Sequence, residues 1–155
     1  TVANNISLGK NKATREEIVE VTKKAKVHSS IIEFENGFDT VIGERGVTLS
    51  GGQKQRLAIA RALLTDPNIL ILDDALSAVD TKTEKSILDD LIKMRKDKTT
   101  IIISHRISSI QHADKIIVLN EGKIEEEGNH KQLLTLNGIY ADIYEKQQIE
   151  EKLSE

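Results

Sequence analysis

The sequence predicts an α/β fold built on a parallel sheet, and three observations lead there. Ile69-Leu70-Ile71-Leu72 and Thr99–Ile103 are short, continuous apolar runs, as expected of parallel strands covered on both faces. The stretches before and between them repeat apolar residues at helical spacing. Strands alternating with helices make an α/β domain. The chain has 155 residues, 38% hydrophobic and 30% charged, so it folds as one domain or a large piece of one.

The elements follow in order. Thr14 and Glu17 fit a capping box, and behind it Ile18, Val21 and Ala25 mark a helix to about Lys26. A short helix around Ser30–Glu35 closes at the Asn36-Gly37 turn signal. Asp39 to Gly46 reads as loop, with Gly43 and Gly46 bracketing Glu44-Arg45. Ser50 caps a longer helix carrying Leu57, Ile59, Ala60, Leu63 and Leu64, which Pro67 ends. The texture changes at Asn68, dividing the chain into a helical part, 1–67, and a strand-bearing part, 68–155. Asp80 starts a helix whose buried stripe is Ile87, Leu88, Leu91 and Ile92. After a short helix near Ile107–Gln111, Lys115–Leu119 reads as a third strand of the parallel kind. Glu121-Gly122 then turns into Lys123–Glu127, an antiparallel edge hairpin. Helices His130–Leu136 and Ile139–Lys152 complete the chain.

Composition excludes several functions. Lys and Arg number 22 against 25 Asp and Glu, a formal charge of −3, whereas a general nucleic-acid binder is strongly basic. Aromatics are 3%, too few for a base-stacking platform. Without Cys there are no disulfides and no thiolate metal sites. No apolar run is long enough to span a membrane. These features read as soluble and cytosolic, and a start at Thr1 reads as a piece of a longer protein.

Three motifs carry chemistry. Leu49-Ser50-Gly51-Gly52-Gln53 places two glycines and a hydroxyl at a helix start. The unsatisfied amides there, with the positive dipole end behind them, suit a phosphate. An ordinary serine-capped turn uses the same residue types, yet the whole string arises by chance only about once in several thousand such chains. Ile69 to Leu72 then runs into Asp73-Asp74, carboxylates at the carboxyl end of a parallel strand, where ligands of open α/β sheets bind. Asp73 can hold Mg²⁺, which takes one or two protein carboxylates; Asp74 can orient or deprotonate a water. Acids there can also simply cap the next turn. Third, Ile101-Ile102-Ile103-Ser104-His105-Arg106 ends a strand in a histidine able to bond a phosphate oxygen or position a water. A lone strand-end histidine is more often structural. His28, His112 and His130 lie in no comparable motif.

In this order and spacing the motifs resemble the ATP-binding domain of ABC transporters. Leu49–Gln53 matches the family signature, Ile69–Asp74 the Walker B strand, Ser77-Ala78-Val79-Asp80 the D-loop, and His105 the switch histidine. Thr40-Val41-Ile42-Gly43-Glu44-Arg45-Gly46 looks like the X-loop of exporters, beside the membrane domain. The resemblance implies a P-loop NTPase-like (RecA-like) parallel-sheet core, incomplete at its N-terminal side, with an α-helical subdomain. It implies Asp74 and His105 as catalytic residues, Asp73 as the Mg²⁺ ligand, and Ser50, Gly51, Gly52, Gln53 and Asp80 as ATP-binding residues. It also implies a second nucleotide-binding domain, head to tail, and a transmembrane domain as partners, at the cytoplasmic face of a membrane.

Two departures qualify this. The pattern G-x-x-x-x-G-K-[ST] is absent: Gly9-Lys10 precedes Asn11, and Gly122-Lys123 precedes Ile124. The chain alone is therefore expected to be inactive. Members with full hydrolytic sites usually have Glu after the Walker B Asp, and here Asp74 stands there. Its shorter side chain implies a slow site, as in the degenerate half of a heterodimeric exporter. Soluble ABC-type ATPases of DNA repair or translation share these motifs, and a non-catalytic interaction module is the third reading. The exporter-like loop and short C-terminal helices favour transport.

Overall fold

The computed structural model describes residues 1–43 and 46–154. Glu44 and Arg45, part of the expected X-loop, lie outside the described residues. The chain forms two compact units, Thr1–Ile103 and Ser104–Glu155.

The first unit is built around a long central helix. Its elements are α1 (Val2–Ser7), α2 (Arg15–Lys24), α3 (His28–Ile32), a 3-10 turn at Gly37–Asp39, α4 (Gly51–Leu64), β1 (Ile69–Asp73), α5 (Thr81–Met94) and β2 (Thr99–Ile103). Local chemistry sets the helix starts. Thr14 accepts from the Glu17 amide while Glu17 bonds back to the Thr14 amide, the reciprocal box expected from the sequence. Ser50 and Gln53 form a second box at α4, and Asp80 caps α5 through the Thr83 amide. The helix expected around Ser30–Glu35 instead starts at His28, because the Val27 amide bonds the Thr22 carbonyl and turns the chain directly out of α2. The core joins Ile6, Ile18, Ile31, Leu57, Ile59 and Leu63 with Leu70, Leu72, Leu76 and Ile87.

β1 and β2 pair in parallel, Ile69 opposite Thr99 and Asp73 opposite Ile103. Burial on both faces is not what the structure shows. Leu70 is 4% exposed and sits in the helical core, whereas its neighbour Ile69 is 60% exposed. Ile71, Ile101 and Ile103 share that open condition, since side chains alternate across a strand and helices cover one face only. On α5 the buried stripe is Glu84, Ile87, Leu88 and Leu91, while Ile92 is 53% exposed. Positions i, i+3, i+4 and i+7 fill the core-facing arc, and Ile92 turns out of it.

The second unit holds α6 (Ile107–Ile110), β3 (Ile116–Asn120), β4 (Lys123–Gly128), α7 (His130–Leu136) and α8 (Ile139–Ser154). β3 and β4 pair antiparallel, the hairpin expected at Glu121-Gly122, in a two-stranded sheet of their own; the third parallel strand expected there is not found, since among the described residues β3 has no parallel partner. The connection sets the hairpin. Glu121 and Gly122 both have positive φ, 48° and 75°, the type I′ turn whose twist brings adjacent strands back on each other. Ile107, Ile116, Leu133 and Tyr140 form a small core, and polar ties supplement it. Asn129 and Gln132 box the start of α7. The start of α8 is held from β4: both Glu126 carboxylate oxygens accept, from the Ile139 and Tyr140 amides. A carboxylate at a helix N-terminus also meets the positive dipole end.

Tyr140 is fully buried, its hydroxyl 2.7 Å from His130 Nδ1. Burial pushes the phenol from 10.0 up to about 12, so the fold favours the neutral form. That stabilisation is complete below pH 10 and is lost as pH rises through about 12. Urea melts across that range should show falling stability. Tyr140→Phe should flatten the fall while costing about 1 kcal/mol at neutral pH for the lost hydrogen bond.

Candidate functional site

The helix start at α4 is both capped and open. Ser50 Oγ accepts from the Gln53 amide at 3.2 Å, and Gln53 Oε1 accepts from the Ser50 amide at 2.9 Å. Helix geometry leaves the first-turn amides of Gly51 and Gly52 without an intrahelical carbonyl. The two glycines also make room. A Cβ on Gly52 would lie 2.7 Å from the Ala78 carbonyl oxygen, and one on Gly51 3.2 Å from the Ala78 Cβ. The glycines thus permit backbone contact between α4 and the loop after β1.

That loop carries the carboxylates. Asp73 ends β1 and is exposed. Asp74, also exposed, sits at φ 47°, and its amide bonds the Ile103 carbonyl at 3.0 Å. The left-handed backbone ends the strand abruptly and starts the turn through Ser77 and Ala78. Asp80 closes the loop with its carboxylate on the Thr83 amide at 2.9 Å. Bonds from the Thr83 amide and hydroxyl hold that carboxyl below its usual range, with Arg56 adding a weaker attraction. Its cap therefore persists into acid.

One side chain joins the two segments. Gln55 donates from Nε2 to the Asp74 carbonyl at 3.2 Å and to Ser77 Oγ at 2.9 Å, while its Oε1 accepts from the Ala78 amide at 2.8 Å. The Ser50–Gln53 helix start and the Asp73–Asp80 loop thereby form one corner of the first unit. Sequence reading placed no role on Gln55, whose partners lie 19 to 23 residues away. Behind the corner, Arg56 bonds the Lys26 carbonyl at 2.7 Å and the Gly52 carbonyl at 3.2 Å. Arg61 bonds the Asn5 carbonyl at 2.8 Å. A groove of about 480 Å³ runs alongside, lined by Asn5, Ile42, Gly43, Val47, Leu49, Lys54 and Arg61.

His105 belongs to the second unit, in the exposed segment between β2 and α6. Ser104 Oγ accepts from the Arg106 amide at 3.0 Å, and Gln147 of α8 bonds the His105 carbonyl at 2.7 Å.

A family model described as "ABC transporter" matches residues 1–77, the stretch that contains this corner up to Ser77. The chain is 52% identical over 155 residues to the multidrug resistance-like ATP-binding protein MdlA of Escherichia coli, covering 100% of this chain and 26% of that protein. The chain belongs to the ABC transporter family. An uncharacterized ABC transporter ATP-binding protein of Bacillus subtilis, YknU, is 52% identical over 147 residues, 95% of this chain and 25% of its own length. Among solved structures, a bacterial Atm1-family ABC exporter with ATP bound superposes with a TM-score of 0.88 at 43% identity, covering 95% of this chain and 26% of that one. The mixed α/β fold with its small parallel sheet is the ABC ATPase fold of that neighbour.

This ABC chain thus spans about a quarter of the length of these curated relatives. Among its described residues no helix is long and apolar enough to cross a membrane. The contacts at Ala78 separate its two glycines in a measurable way. Gly52→Ala has to displace a backbone carbonyl and should destabilise the first unit by about 1–3 kcal/mol. Gly51→Ala meets only a methyl group and gains helix propensity, so it should stay within about 1 kcal/mol of the parent. Chemical denaturation of the two variants checks the ranking.

Proposed function

We propose that this chain is part of the ATP-binding and hydrolysing domain that powers substrate export by an ABC transporter. The observation that carries this reading is the corner held by Gln55. There a glycine-rich helix start with open amides is fixed to a loop that begins in two exposed carboxylates. Kinship with a multidrug resistance-like protein and an exporter supports transport over a soluble ATPase. Residues 1–67 act as the helical subdomain and 68–155 as the C-terminal part of the core.

In this reading Ser50, Gly51, Gly52 and Gln53 receive the phosphates of a nucleotide held mainly by a second, head-to-tail nucleotide-binding domain. Asp80 sits at the same junction. The groove beside the Thr40–Gly46 loop faces the transmembrane domain, at the cytoplasmic side of the membrane. Asp73 suits Mg²⁺: an exposed carboxylate at a strand end supplies one ligand, and among the described residues no cluster of three or more acids or histidines offers a closed cage. An ion that keeps most of its waters fits such a donor set. When bound, it would draw negative charge off the phosphate oxygens. His105 donates to a phosphate oxygen or positions water.

Asp74 orients the attacking water, from a side chain about 1.3 Å shorter than Glu. A misplacement of about 1 Å can cost ~10²-fold in rate. The site containing Asp73 and Asp74 is therefore the slow one of a heterodimeric pair.

Two experiments on the full transporter test these roles. Ser50→Arg fills the helix start and should reduce hydrolysis at the nucleotide bound by the partner domain. If only the site containing Asp73 responds, the assignment across the dimer is wrong. Asp74→Glu should raise turnover at its own site, whereas Asp74→Asn should lower total ATPase activity less than about tenfold, or ~1.4 kcal/mol in barrier. A larger loss in steady-state assays would make Asp74 a working base and two equivalent sites the better account.

A further inference from the structure

The second unit holds a contact whose geometry is specific to a few atoms. The segment Ser104–Ile107 leaves β2 and enters α6, and Arg106, the residue at the cap of α6, makes no side-chain cap. Gln147, on α8 and 40 residues beyond Ile107, supplies what is missing. Its Oε1 accepts from the Ile107 amide at 2.9 Å, and its Nε2 donates to the His105 carbonyl at 2.7 Å. One planar amide thus bonds the main chain on both sides of Arg106. A primary amide does this because it offers a donor and an acceptor side by side in one plane. The Ile107 amide is among those a helix start leaves unpaired.

The platform that carries Gln147 is itself fixed. Glu126 holds the first amides of α8, and Tyr140 and Tyr144 seat its first turns in the small core. On the other side Ser104 Oγ bonds the Arg106 amide. The His105 peptide carbonyl is therefore held from α8, while the residue itself stays exposed.

We infer that Gln147 is a positioning residue for His105: its side-chain amide clamps the His105 carbonyl and the Ile107 amide and so sets the direction in which the imidazole leaves the backbone. This rests on the role proposed above for His105 and goes beyond it by naming the residue that aims the ring. Loss of the clamp leaves the histidine chemically intact and misaimed. Reaction rate is then affected, and nucleotide affinity is not, because a small misplacement costs rate steeply.

Two measurements test it. In the 15N-labelled chain, Gln147→Leu, close in size and without polar atoms, should speed hydrogen exchange of the Ile107 amide at least about tenfold; unchanged exchange overturns the clamp without reference to any activity. In the full-length transporter the same variant should lower kcat for ATP about 10- to 100-fold with KM unchanged. The double variant with His105→Ala should be no slower than His105→Ala alone, since two residues acting through one group are not additive. A parent-like kcat, a raised KM, or a multiplicative loss in the double variant overturns the inference. Should Gln147→Leu fail to fold, the isosteric Gln147→Glu, which keeps the acceptor and loses the donor when ionised, is read by the same criteria. If His105→Ala alone leaves kcat unchanged, the proposed role of His105 fails, and the exchange measurement still decides whether Gln147 holds the segment.

Discussion

The backbone contact between the first turn of α4 and the Ala78 carbonyl is the constraint on which the candidate site depends. It exists only because Gly52 has no Cβ to hold the loop away. With the chains this close, Gln55 can reach three separate atoms of the loop with one amide. The same absence of side chains keeps the α4 amides approachable from outside. Packing toward the loop and access toward a ligand are therefore two consequences of one choice of residue.

The helices behind that corner are held by a different kind of interaction. Arg56 and Arg61 both point from α4 to main-chain carbonyls, of Lys26 and of Asn5, in charge-assisted hydrogen bonds. Lys26 adds an ion pair with Asp90 of α5 at 2.5 Å. At the C-cap of α5, the buried Arg95 bonds Thr100 Oγ1 and the Thr99 carbonyl, at the entry of β2. The apolar core supplies the stabilising area, and these directional bonds fix which turn of each helix faces which neighbour. The second unit has a much smaller core and relies more on polar ties, with Glu126, Gln132 and Gln147 each serving main-chain atoms of another segment or turn.

A division of labour follows for an ABC ATPase. Side chains suited to contact nucleotide, metal or water stand exposed on short loops. Side chains that never need to touch them, Gln55 and Gln147 in particular, hold those loops by their backbones. Under the roles proposed above, reactive geometry would be set by groups free of the chemistry, since each glutamine bonds the main chain of its loop and not the carboxylate or imidazole of a proposed site residue.

The sequence by itself determined what is local. The capping box at Thr14, the Ser50 cap, the helix start at Asp80 and the Glu121-Gly122 turn each rest on residues within a few positions of one another, and each is present as read. The chemistry-bearing strings were legible for the same reason, since their residue types and spacing are contiguous. Tertiary structure alone decided the rest. Ile69 and Ile71 read as buried because an apolar run does not say how many layers cover it. Ile92 turned outward on a fraction of a helical turn, and β3 stands outside the parallel β1–β2 pair although its apolar run looks like theirs. Gln55 and Gln147 gave no signal at all. A glutamine on a helix surface looks alike wherever it stands, and only the approach of a backbone from distant sequence gives its amide something to hold.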